Sequence, residues 1–104
     1  MATEAPLQVT VEIRLASGER RFRLSRRLQL PAALSFRAEL PVQGEELGRV
    51  SLRLPDGTEL REVWARLRFD PEHPERGSRA ELLDLRADVA RAIQSHVEQW
   101  EESA

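Results

Sequence analysis

Five arginines stand within eight positions in Arg20-Arg21-Phe22-Arg23-Leu24-Ser25-Arg26-Arg27, the densest chemistry-bearing stretch of the chain. A guanidinium presents a planar fork of N–H donors that matches a carboxylate or a phosphate. On a regular strand Arg21, Arg23, Ser25 and Arg27 share one outward face, because successive side chains alternate. Such a row either grips an anion or an acidic partner, or forms a solvated strand face paired with Glu12 and Glu39. Residue type alone leaves both readings open. Trp64 is the other candidate, a large aromatic on the polar side of its strand. It packs under a C-terminal helix or meets a partner protein. Arg20, Arg21, Arg23, Arg26, Arg27 and Trp64 are thus the candidate partner- or anion-binding residues.

Catalytic chemistry finds no support. His73 and His96 are the two histidines, and neither is spaced to serve a nucleophile or a metal; both read as surface residues. The acid pairs Glu45-Glu46 and Glu101-Glu102 are consecutive, so on regular structure their carboxylates diverge. There is no phosphate-cradling Gly-rich loop, no G-x-S-x-G and no H-E-x-x-H. The expectation is a non-enzyme with no catalytic residue, no metal and no cofactor.

The 104 residues suit a single domain, 1–104, with an ordered core over about 8–101. Apolar residues make up 40% and charged residues 33%, a composition for a small core under a well-solvated surface. The formal charge of −2, with only three Phe and two Trp available for base stacking, argues against nucleic acid as a partner. All sixteen basic residues are Arg; a GC-rich genome accounts for that bias, and selection for bidentate recognition is the sharper reading. Cysteine is absent, which removes disulfide and thiolate chemistry. No apolar run approaches the ~20 residues that span a bilayer, so no membrane insertion is expected. The start of the chain has neither a basic nor an apolar signal region, and the cytoplasm is the expected location.

Alternation sets out the elements that must position these residues. Val9, Val11, Ile13 and Leu15 mark a first strand, and Ala16 to Glu19 a turn. The return strand places Phe22, Leu24, Leu28 and Leu30 on one face; Arg26 interrupts that face, so a bulge or an open edge is expected there. Leu34, Phe36, Ala38 and Leu40 predict a third strand that Pro41 stops, followed by a loop over Val42 to Gly48. Val50, Leu52 and Leu54 predict a fourth. Pro55-Asp56-Gly57-Thr58 is the strongest turn signal, and Val63, Ala65, Leu67 and Phe69 predict a fifth. Asp70 to Gly77 reads as a solvated loop. Ser78-Arg79-Ala80-Glu81 matches a capping box, which permits one helix from Ser78 to Glu101. The preferred alternative is a sixth strand from Ser78 to Leu83, with Asp84 capping a helix over about Leu85 to Trp100 and Trp100 as a core anchor. The first six residues and the last few read as disordered.

Val50-Ser51-Leu52-Arg53-Leu54-Pro55-Asp56-Gly57, the strand Val63 to Phe69, and the block Arg76 to Leu85 before the final helix resemble the PilZ domain family. The resemblance implies a mainly β fold: a small six-stranded antiparallel β-barrel with a C-terminal α-helix. It supports the strand-then-helix reading of the last segment. Most of that family binds cyclic di-GMP through R-x-x-x-R and D/N-x-S-x-x-G. Here no arginine precedes Val9, and Arg23 and Arg27 have the first spacing only inside a strand. The second motif falls near Leu28 to Ala33, with Leu28, Leu30 and Ala33 where an acid, a Ser and a Gly are required. The resemblance therefore implies a degenerate member that does not bind cyclic di-GMP. Its expected role is that of a regulatory or adaptor domain that binds another protein in bacterial motility or pilus control. The alternative is a cyclic di-GMP receptor using the Arg20–Arg27 cluster.

Overall fold

Alternation along Thr10–Arg14 (β2) buries Val11 and Ile13 completely and leaves Thr10, Glu12 and Arg14 turned outward. In the computed structural model, which describes residues 3–103, this strand pairs antiparallel on one side with Arg20–Gln29 (β3) and on the other with Gly44–Arg53 (β5). Ala33–Phe36 (β4), Glu59–Phe69 (β6) and Ser78–Leu82 (β7) complete the wall. The strand order β3-β2-β5-β6-β7-β4 closes through a further β3–β4 ladder. The result is a six-stranded antiparallel barrel, to which Glu4–Pro6 (β1) is added along the far end of β3. Closure removes most free edges, which otherwise expose rows of unpaired N–H and C=O groups.

The inward positions supply one continuous core. Leu34 and Phe36 of β4, Val50 and Leu52 of β5, Ala65 and Leu67 of β6, and Ala80 of β7 all belong to it. Helix α1, Ala87–Ser103, lays Val89, Ile93 and Val97 on the same cluster. It packs against β1 and β3, and His96 lies 3.1 Å from the Pro6 carbonyl oxygen. Burying each such aliphatic contributes ~1.5–3 kcal/mol.

The Pro55 turn forms as the sequence predicts: Gly57 takes φ 93° and its N–H donates to the Leu54 carbonyl. Ser78 to Leu82 is a strand and the helix starts afresh at Ala87, so the split reading of the last segment holds. Gly77 starts that strand in the left-handed region, at φ 69°, where a side chain would collide with the Phe36 carbonyl oxygen. Ser78 is buried, and its hydroxyl donates to the Ala38 carbonyl at 2.7 Å instead of capping a helix.

Five expectations are corrected. Glu4–Pro6 is a strand, although the sequence pattern leaves it disordered, because Ala5 reaches the core and Glu4 meets Gln29. The third predicted strand ends at Phe36; Leu40 is still buried, carried there by a loop. Gly44 to Gly48, expected as loop, is the start of β5. Asp84 has φ 51° and sits outside the helix, so it does not cap it. Trp100 is 45% exposed and anchors nothing in the core. It lies one turn beyond Val97, past the end of the buried stripe.

Candidate docking surfaces on the barrel wall

The expected interruption at Arg26 is a bulge. The β3–β4 register shifts between Ser25 and Arg27, which inserts one unmatched residue. One extra residue exchanges the inward and outward positions of everything beyond it. On the β4 side of the bulge Leu28 points inward and is fully buried. On the other side Phe22 and Leu24 pair with Glu12 and Thr10, on the outward face. They are 61% and 63% exposed, not buried with Leu28. Arg21 and Arg23 pair with Ile13 and Val11, on the barrel side, and are only half-exposed. Ser25, read as outward, is 2% exposed. Its hydroxyl donates to the Leu7 carbonyl at 2.8 Å and accepts from the Val9 N–H at 3.3 Å. That bond ties the gap between β1 and β2 to the bulge.

The six candidate residues therefore do not form one site. Arg20 turns outward and lies 3.5 Å from Glu12. Arg21 pairs with Glu19 at 2.6 Å. Arg27, beyond the bulge, pairs with Glu4. Arg23 donates from Nε to the Glu39 carbonyl at 3.3 Å and from Nη1 to the Phe22 carbonyl at 3.0 Å. Among the described residues, Arg23 and Arg26 have no carboxylate partner. The solvated-face reading thus fits Arg20, Arg21 and Arg27. Its pairing with Glu39 does not form through the carboxylate.

A residue the sequence reading passed over joins Arg26. Arg37 follows the last residue of β4, is exposed, and also has no carboxylate partner among the described residues. With Gln8, Leu24, Ser25, Arg26 and Ala38 it lines a surface depression of about 360 Å³. Alternation with Phe36 and Ala38 gives Arg37 an ordinary outward place on the predicted third strand. Only the early end of β4 sets it beside the bulge.

Trp64 belongs to a second surface. The register partners Trp64, Arg49, Arg14 and Arg20 run in that order across four strands on the outer face. At ~4.8 Å per strand this separates Trp64 from Arg20 by about 14 Å. The Arg49 guanidinium carbon stands 4.5 Å from the Trp64 ring centre, a cation–π contact. Glu62 accepts from Arg14 at 3.0 Å and lies 3.9 Å from Arg49. Trp64 is 46% exposed and walls a groove of about 490 Å³ with Val63, Leu83, Leu85 and the helix residue Val89. Glu62 and Asp84, which both line it, adopt φ 46° and 51°, and left-handed non-glycine residues of this kind cost stability.

Glu59, which lines the Trp64 groove, is engaged in structure. Hydrogen bonds from Arg53, then from Arg61, hold the Glu59 carboxyl below its ordinary range. The Thr58 N–H does the same for Asp56 in the turn. Among the described residues no group of His, Asp and Glu is placed to hold a metal, and no helix is long and apolar enough to cross a membrane.

No protein-family model matches the chain, and no curated protein matches it. Among solved structures it is similar to the Bacillus subtilis inhibitor of motility MotI/DgrA, a PilZ-fold protein, with a TM-score of 0.72 and 20% identity. The match covers 97% of this chain and 50% of that one, so the chain spans about half the length of this structural relative. What the two share is the fold: a six-stranded antiparallel β-barrel carrying one C-terminal helix.

Proposed function

We propose that this chain is a degenerate PilZ-type regulatory domain. It acts in the cytoplasm by docking on another protein, in bacterial motility or pilus control, and carries out no chemistry itself. The observation that carries the reading is the surface at the β3 bulge. Phe22 and Leu24 are largely exposed there, and Arg23, Arg26 and Arg37 lack carboxylate partners among the described residues. Apolar area beside unneutralised guanidinium groups is the usual make-up of a protein-recognition patch. The likeness to an inhibitor of motility supports the biological setting.

Cyclic di-GMP is not the ligand in this reading. Leu28 and Ala33, at the acid and glycine positions of the ligand motif, are buried. Neither they nor Leu30 carries a side-chain group that can hydrogen-bond a guanine edge or a phosphate. Isothermal titration with cyclic di-GMP at near-physiological salt should give no saturable heat at tens of micromolar. A saturable isotherm weakened by Arg23→Ala or Arg26→Ala would replace this reading with that of a nucleotide receptor. Docking itself is tested by affinity capture from the native cytoplasm. Arg26→Glu with Arg37→Glu should lose the partner that the parent retains, and retention of that partner would move the docking site elsewhere.

A further inference from the structure

The docking surface at β3 includes an unpaired strand edge. β3 is ten residues long, but its ladder with β4 begins only at Ser25. From Arg20 to Leu24 it pairs with β2 alone. The direction of its free groups follows from the bonds it does make. Leu15 N–H donates to the Glu19 carbonyl at 2.8 Å, and Ser25 N–H to the Val9 carbonyl at 2.9 Å. In an antiparallel pair the bonded residues alternate, so residues 19, 21, 23 and 25 face β2. Arg20, Phe22 and Leu24 turn their N–H and C=O groups to the open side.

Arginine side chains cover part of that side. Arg23 Nη1 donates to the Phe22 carbonyl at 3.0 Å, and Arg21 Nη1 approaches the Arg20 carbonyl at 3.4 Å. Guanidinium groups thus stand where the N–H groups of a neighbouring strand would donate. The depression lined by Leu24, Arg26, Arg37 and Ala38 lies at the fork where the chain after Phe36 leaves β3. A strand continuing the line of β4 would start there.

Resting on the docking reading above, we infer that this edge captures an extended acidic segment of the partner protein as an added strand. The strand would run along Arg20–Leu24. Its backbone would exchange hydrogen bonds with Arg20, Phe22 and Leu24, replacing the arginine side chains that now cover the carbonyls. Carboxylates on the strand would meet Arg23, Arg26 and Arg37, and apolar side chains alternating with them would lie on Phe22 and Leu24. Charge selects the occupant. Two copies of this chain paired through the same edge would set arginine against arginine, which is destabilising, whereas an acidic strand supplies the missing carboxylates.

The probe is a capped eight-residue peptide alternating glutamate with valine, added to the intact chain. Backbone amide spectra should shift first at Arg20, Phe22 and Leu24, and their hydrogen exchange should slow. The same peptide N-methylated on its edge-facing amides keeps its charge but loses its donors. It should bind at least about tenfold more weakly, the loss of one or two ladder hydrogen bonds. A lysine–valine peptide should not bind. Arg26→Glu with Arg37→Glu should weaken the glutamate peptide to a similar extent. The N-methylated peptide tests the same edge without altering the protein, in case that variant does not fold. Equal binding of the N-methylated peptide would overturn strand addition and leave charge alone as the attraction. Shifts confined to another face, no binding, or equal binding of the lysine peptide would also overturn it. If affinity capture from the cytoplasm still depends on Arg26 and Arg37 while the peptide fails, docking stands and the added strand falls.

Discussion

The two halves of β3 share one strand and both are rich in arginine, yet they live in different surroundings. From Ser25 to Gln29 the strand is laddered on both edges, Leu28 is fully buried, and Arg27 is paired with Glu4. From Arg20 to Leu24 it is laddered on one edge, Phe22 and Leu24 lie open, and Arg23 bonds only to carbonyls. A residue's role here depends less on its type than on which side of a one-residue bulge it falls. The closed half is built into the barrel wall, whereas the open half leaves one backbone edge and two apolar side chains exposed.

Two leucines four residues apart give the sharpest contrast. Leu28→Ala should cost ~2–5 kcal/mol, the usual loss for a truncated core aliphatic, while Leu24→Ala should stay within about 0.5 kcal/mol, as an exposed position does. Urea unfolding midpoints of the two variants measure it directly, and equal costs would mean that the bulge does not divide the strand. Ile93→Ala belongs with the closed half, since Ile93 is fully buried under the barrel. It should also fall in the range of ~2–5 kcal/mol, whereas an unchanged midpoint would make α1 a detachable element.

Ser25→Ala probes the boundary itself. It removes the donor to the Leu7 carbonyl and should destabilise by ~1–3 kcal/mol, the cost of leaving a buried acceptor unpaired. Hydrogen exchange should then quicken first in the segment around Leu7 and Val9.

Arg26→Gln and Arg27→Gln should both change stability by less than ~1 kcal/mol, since Arg26 is exposed and has no carboxylate partner among the described residues, and the exposed Arg27–Glu4 pair contributes little. They should differ in partner capture, which Arg26→Gln reduces and Arg27→Gln spares. Capture that depends equally on both would show that the open half does not act alone.

The smallest effect lies at the other hairpin. Asp56 and Glu59 have carboxyls held below their ordinary values in the folded chain. A lowered folded value stabilises the fold above the unfolded carboxylate pKa, and that stability is lost as pH falls through the folded value. Between about pH 6 and pH 3, Asp56→Asn should therefore flatten the acid-side loss of stability slightly. Arg26→Gln in the open half should leave that profile unchanged. Urea midpoints measured across this range would show both.

Much of the fold was legible because alternation and turn chemistry act locally. Val11 and Ile13, Val50 and Leu52, and Leu67 and Phe69 fall inward as their period of two requires. The Pro55 turn closes on its glycine, and the capping-box pattern at Ser78 is overruled by the strand needed to close the wall. The candidate surface was half legible. Arginine density marks β3 and Arg26 marks the bulge, but unbroken alternation puts Phe22 and Leu24 on the face of Leu28, which the bulge reverses. Arg37 left no signal, since nothing local shortens β4.

The amino-acid sequence by itself determined most strands, the Pro55 turn and the closing helix, because each rests on periodicity and backbone preference within a few residues; the six-stranded barrel followed from the family resemblance, and β1 and the start of β5 left no such signal. It also determined that the ligand-motif positions hold Leu28, Leu30 and Ala33. Only the tertiary structure decided which face each half of β3 presents and where β4 stops. Those outcomes depend on pairing between residues distant in sequence. One unmatched residue in a ladder is enough to turn an arginine inward and a phenylalanine out.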